Sequence, residues 1–173
     1  MTDAASLAAA RERRILDFAR SDVFVRTFGE GMGLVEETAA YLDGPGRAAS
    51  KRLDRNGTLT YAAESMRLTT RLMQMASWLL VQRALREGEL PVADALQEKY
   101  RLSARADGDQ AAGLPPGVAM PEELLALMHR TDRLFARVRR IDAQIYGEAG
   151  GEEPDAIGAR AQFDLLRKAF DAG

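Results

Sequence analysis

Cysteine is absent from this chain, histidine occurs once, and no apolar run approaches the length of a membrane span. Without cysteine there are no disulfides, zinc–thiolate centres, iron–sulfur clusters or thiol nucleophiles. That suits a reducing compartment without requiring one. The lone histidine, His129, has no second histidine with which to build a metal site or an acid–base pair, so it reads as a semi-exposed surface residue. The longest apolar block, 75–81, is interrupted by Ser77 and falls far short of the ~20 residues that cross a bilayer. The first twenty residues mix Asp3, Glu12 and Asp17 with arginines and lack the continuous apolar segment of a signal peptide. A cytoplasmic location with no membrane attachment is expected. An excess of one charge sign is also missing. The 24 basic and 26 acidic residues leave a net charge of −2, which disfavours a nucleic-acid sleeve but permits a local basic patch.

What is present is an ordinary globular balance over 173 residues, enough for one domain that buries roughly two-thirds of its unfolded surface. Residues 1–20 are alanine- and arginine-rich with scattered anchors, and read as a mobile N-terminal arm. Ser21 is placed to cap a first long helix, with Asp22 at the positive end of its dipole. Phe24, Phe28, Gly31, Val35, Thr38 and Leu42 recur at spacings of four and three on one face. Asp43-Gly44-Pro45-Gly46 stops that helix, and a basic linker with Lys51, Arg52 and Arg55 follows.

A second long helix is expected from Thr58 to Glu87. Ala62, Met66, Thr69, Met73, Ala76 and Leu80 form one apolar stripe, and Tyr61, Leu68, Leu72, Met75 and Leu79 form another beside it. Two stripes place this helix at the centre of the assembly. Gly88 ends it, and Pro91 opens a shorter connecting helix to about Arg101. Residues 107–117 read as a loop. Pro121, Glu122 and Glu123 start a third long helix, on which Leu124, Leu127, Thr131, Leu134, Val138, Ile141 and Ile145 keep a 3-4 rhythm. Residues 147–173 read as a flexible acidic tail in which Ile157, Phe163, Leu166 and Phe170 could line a weak amphipathic helix. No alternating strand pattern occurs. The fold class is therefore all-α, an up-down helical bundle over 21–146 with three long helices and a short connecting helix.

Catalytic and cofactor motifs do not emerge. Gly29, Gly31 and Gly33 lie inside a helical pattern with no preceding strand and no Walker lysine, so they read as close helix packing. Adjacent carboxylates such as Glu36-Glu37 and Glu122-Glu123 point about 100° apart on a helix and cannot share a substrate proton. No catalytic residue, cofactor or metal is expected, and the chain reads as a non-enzyme. Two charged features could carry binding. Glu64, Arg67, Arg71 and Trp78 form a polar stripe on the second helix, either a dimer contact or a pairing inside the bundle with Glu30 and Glu37. On the third, Arg130, Arg133, Arg137 and Arg140 form a row that could be a plain solvated face, could dock a protein partner, or could contact phosphates of nucleic acid.

Two segments carry a specific resemblance. Glu30-Gly31-Met32 with 34–44 (LVEETAAYLDG), and above all 61–80 (YAAESMRLTTRLMQMASWLL), resemble the family of the regulator of CtrA degradation, over about residues 21–146. The resemblance implies a homodimeric three-helix bundle with an acidic tail. It also implies an adaptor that binds a ClpXP protease already primed by a response-regulator-like adaptor, and delivers cell-cycle regulators such as CtrA, directly or through a cyclic-di-GMP-binding protein. The competing expectation is a small DNA-associated regulator that uses the arginine row.

Overall fold

The computed structural model describes residues 2–102 and 114–147. Six α-helices follow in order: α1 (Thr2–Arg20), α2 (Asp22–Asp43), α3 (Pro45–Ser50), α4 (Arg55–Glu87), α5 (Val92–Ala95) and α6 (Glu122–Tyr146), with a 3-10 turn at Glu98–Tyr100. No strand occurs among the described residues, as the missing alternation predicted.

Local chemistry sets the boundaries. The Ser21 hydroxyl accepts the Phe24 N–H at 3.2 Å and starts α2 where expected. Asp54 does the same for α4, accepting the Gly57 N–H at 2.6 Å, so that helix begins three residues before Thr58. Its C-terminus closes at Gly88, whose φ of 74° only a residue without Cβ adopts cheaply, while the Glu89 N–H returns to the Ala84 carbonyl at 2.9 Å.

The register of side-chain partners gives the topology. Tyr41 of α2 lies level with Tyr61 of α4 and Leu124 of α6, whereas Gly31 lies level with Met75, Leu79 and Leu134. Helix α2 is therefore antiparallel to both others, and α4 and α6 run in the same direction. The chain between them, 88–121, must cross back along the bundle. The core holds Phe24 and Leu34 from α2, Leu68, Leu72, Met75 and Leu79 from α4, and Leu127, Leu134 and Val138 from α6.

Several sequence expectations change. The N-terminal arm is an α-helix, with Ile15 and Ala19 fully buried and Phe18 lying 5.6 Å from Trp78 and 5.8 Å from Phe24, ring to ring. Ile15, Phe18 and Ala19 occupy i, i+3 and i+4, a one-turn apolar patch that an alanine- and arginine-rich composition obscures. The basic linker begins as α3, because Pro45 stands at its first position and Gly44 alone breaks the chain. The connecting helix from Pro91 shrinks to the single turn α5 plus the 3-10 turn. Helix α6 side chains take its backbone groups instead: the Tyr146 hydroxyl donates to the Ala95 carbonyl at 2.8 Å, and the Leu102 N–H donates to Asp142 at 3.2 Å. Most of the expected loop at 107–117 and the acidic tail beyond Gly147, including its amphipathic stretch, lie outside the described residues.

Candidate interaction surfaces

The arginine row on α6 is divided by the structure. Arg130 donates to Glu37 of α2 at 2.7 Å, and Arg137 pairs with Glu30 one helical repeat along. The hydrogen bond from Arg130 holds the Glu37 carboxyl below its ordinary range and raises Arg130 in turn. Arg133 and Arg140 are exposed, and no described residue forms an ion pair or hydrogen bond with them. The difference follows from helix geometry: Arg130 and Arg137 lean toward α2, whereas Arg133 and Arg140 sit farther round on the solvent side. His129 lies exposed on the same outer face.

The polar stripe on α4 turns inward. Glu64 is buried and accepts from Arg67 on its own helix at 2.6 Å. Arg71 pairs with Asp132 of α6 and lies 5.9 Å from the centre of the Phe135 ring. Trp78 is buried and donates its indole N–H to Asp142 at 2.8 Å. Glu30 and Glu37, expected to reach Arg67 and Arg71, face α6 instead. The reason is their position on α2: they project toward the flank shared with α6 while Gly31 packs against α4.

Asp142 is a site that pattern reading did not identify. It is 5% exposed and accepts from both Trp78 and the Leu102 backbone, with the Arg101 guanidinium 3.8 Å away. Burial pushes its carboxyl above the ordinary range, and those hydrogen bonds and the arginine oppose the shift. Burial likewise pushes the Tyr146 phenol up to about 12, with Asp142 adding to the shift. The available signal was an acid standing on the apolar face of α6, between Val138 and Ile145.

A second surface comes from an expectation that the structure corrects. Of the two α4 stripes, only Tyr61, Leu68, Leu72, Met75 and Leu79 are covered by this chain. The other is open: Leu59 is 65% exposed, Met66 72%, Met73 65% and Leu80 47%, with Ala62 and Thr69 exposed between them and Ala76 half-buried. Helices α2 and α6 both lie on the opposite side, so α4 is not surrounded within one chain. The open stripe extends the noted series back to Leu59 and gives an unbroken 3-4 repeat over three heptads. Large residues stand at 59, 66, 73 and 80 and small ones at 62, 69 and 76, the pattern of a coiled-coil seam.

The three glycines of α2 also separate. A Cβ on Gly31 would stand 2.5 Å from Leu79 Cδ1, so close packing accounts for this one. Gly29 and Gly33 face open space.

Among the described residues no group of His, Asp or Glu is arranged to hold a metal ion, and no helix is long and apolar enough to cross a membrane.

The family described as "Protein of unknown function (DUF1465)" matches residues 15–170. Among solved structures, the crystal structure of RcdA from Caulobacter crescentus CB15 is similar at 54% sequence identity with a TM-score of 0.63, covering 78% of this chain and 99% of that one. No curated protein matches.

Proposed function

The chain belongs to the DUF1465 family and is a relative of the regulator of CtrA degradation, and from this we propose that it is a non-catalytic adaptor for regulated proteolysis. In this reading it binds a primed ClpXP protease and delivers cell-cycle regulators such as CtrA, alone or through a cyclic-di-GMP-binding protein, in the cytoplasm. The observation that carries the reading is the 54% identity to RcdA across 99% of that chain.

Two surfaces are available for the work. The outer ridge of α6, with Arg133 and Arg140 unpaired among the described residues, offers a docking face for an acidic protein surface. The open α4 seam offers a homodimer contact. Three heptads span about 31 Å of helix, and small residues at alternate positions let a second copy of α4 approach closely. A contiguous exposed apolar stripe on a folded domain supports that reading. The competing DNA reading is weakened by the same geometry: Glu30 and Glu37 neutralise two of the four arginines and set carboxylates beside the row, where phosphates would be repelled.

The test is degradation of a CtrA-type cargo by purified ClpXP with its priming adaptor and the cyclic-di-GMP partner, with and without this protein. Faster cargo loss supports the adaptor role. No acceleration with every component present would overturn it, and a salt-dependent DNA shift would then favour the alternative.

A further inference from the structure

The direction in which a second copy of α4 can lie on the open seam is written in the sizes and charges of the seam itself. Its heptad pattern runs one step past the apolar part at each end. Arg55 stands one turn before Leu59, and Arg83 and Glu87 follow Leu80 at three and seven residues, all exposed. Between those ends the seam carries no charge, and the exposed positions along one flank, Ala63, Thr70 and Ser77, are small and neutral. Arg83 is turned aside toward α2, with its guanidinium 5.6 Å from the centre of the Phe28 ring and its Nε donating to Glu87 at 2.8 Å. The Arg55 side chain has no ion-pair or hydrogen-bond partner among the described residues. We propose that two copies associate with their α4 helices antiparallel, about a two-fold axis level with Arg71, so that Arg55 at the start of each helix meets the partner's Glu87. This inference rests on the reading of the seam as a homodimer contact, and adds its direction, its register and the pair that joins the two copies.

Side-chain size disfavours a parallel pair. In register, it would set Met66 on the partner's Met66 and Ala62 on the partner's Ala62. Layers of two large side chains would then alternate with layers of two small ones, and the helices could not close evenly. Antiparallel about Arg71, every layer joins one large residue to one small. Leu80 covers the partner's Ala62, Met66 the partner's Ala76 and Met73 the partner's Thr69, which is the interdigitation that fills a core without voids. Charge selects the register. A parallel pair brings Arg55 against Arg55 and Glu87 against Glu87. An antiparallel pair whose axis lies half a heptad earlier also joins large to small, but it sets Arg55 beside the partner's Leu80 and leaves Glu87 overhanging. The axis at Arg71 uses the whole face from Arg55 to Glu87, and Leu59 lies on the aliphatic stem of the partner's Arg83. Two-fold symmetry repeats the Arg55–Glu87 contact at both ends. An exposed ion pair adds little affinity by itself, so the apolar layers hold the dimer and the end pairs set direction and register.

The absence of cysteine allows a direct test on the full chain. A nitroxide on Thr58→Cys, an exposed position near the start of α4, should lie about 39 Å along the helix direction from its copy in the partner, because each residue advances about 1.5 Å. A nitroxide on Thr70→Cys, beside the axis, should lie only about 3 Å from its copy along that direction and show strong dipolar broadening. Short separations from both positions would reveal a parallel pair, and about 29 Å at Thr58→Cys the shifted register. Either result overturns the proposal while leaving the seam as the self-association surface. A protein that stays monomeric removes the seam reading and this proposal together. Arg55→Glu should weaken the dimer several-fold at low salt, and Glu87→Lys added to it should recover most of the loss. Without that recovery, the end pair is not what orients the helices. None of these readouts needs cargo or protease, so they stand apart from the test of the adaptor role.

Discussion

Trp78 of α4 donates its indole N–H to the carboxylate of Asp142 on α6 at 2.8 Å, and the same carboxylate takes the Leu102 backbone N–H at 3.2 Å. One buried acid thus ties together the two parallel helices and the segment that crosses back between them. Without it, both donors would be shut away from water.

Replacing Asp142 with alanine should therefore cost about 2–4 kcal/mol of stability, because two buried N–H groups lose their acceptor. Asn retains an acceptor oxygen and should cost about 1 kcal/mol. The pH dependence separates them further. The Asp142 carboxyl is raised in the folded protein, so its favourable contribution is complete below the unfolded value of about 3.9 and is lost as pH rises through the folded value. Urea titrations across the acid range should show that falling component in the parent protein and not in Asp142→Asn.

The open α4 seam predicts a separation of oligomeric state from stability. Met73→Glu, at a 65% exposed position, should shift the protein from dimer to monomer by light scattering while its thermal midpoint at matched low concentration moves little. Leu79→Glu, six residues on and fully buried, should instead prevent stable folding by placing a carboxylate in the core. A dimer unaffected by Met73→Glu would remove the seam as the self-association surface.

The glycines of α2 supply an opposite-sign pair. Gly29→Ala and Gly33→Ala face open space and should each stabilise by up to about 1 kcal/mol through helix propensity. Gly31→Ala forces Leu79 to move and should destabilise. Urea midpoints decide it. Stabilised Gly29 or Gly33 variants that also lose partner binding would show a close approach there by another chain.

Arg133→Glu/Arg140→Glu should leave the melting temperature within a few degrees, since surface changes away from specific contacts stay near 0.5 kcal/mol each. The same variant should slow cargo loss in the reconstituted degradation assay. Arg130→Glu brings a like charge against Glu37, so it should lower stability more than either ridge change, and added salt should narrow the gap.

Much of the architecture was legible in the sequence because helix formation is signalled locally. Ser21, Gly88 and the Pro121-Glu122-Glu123 start all sit at observed helix ends, and Leu124, Leu127, Thr131, Leu134, Val138 and Ile145 all lie in the core. On α2 the reading was displaced by one row. Phe28, Val35 and Leu42 are only half-buried, while Thr27, Leu34 and Tyr41 complete the covered face. The segment motif in 61–80 identified the family without reference to packing, since it is a matter of residue order alone.

Periodicity states which side chains share a face of a helix, and it does so whatever lies opposite. The all-helical class, the long helices and the two apolar stripes of α4 were thus set by the chain itself. What covers each stripe depends on where distant segments settle. Only the tertiary arrangement buried Leu72 and Leu79 while leaving Met66 and Met73 open, docked α1 against Trp78, and brought Glu30 and Glu37 to Arg137 and Arg130. Each of those outcomes joins residues far apart in sequence. Their energies arise from contact and desolvation, which the spacing of residues along one helix does not encode.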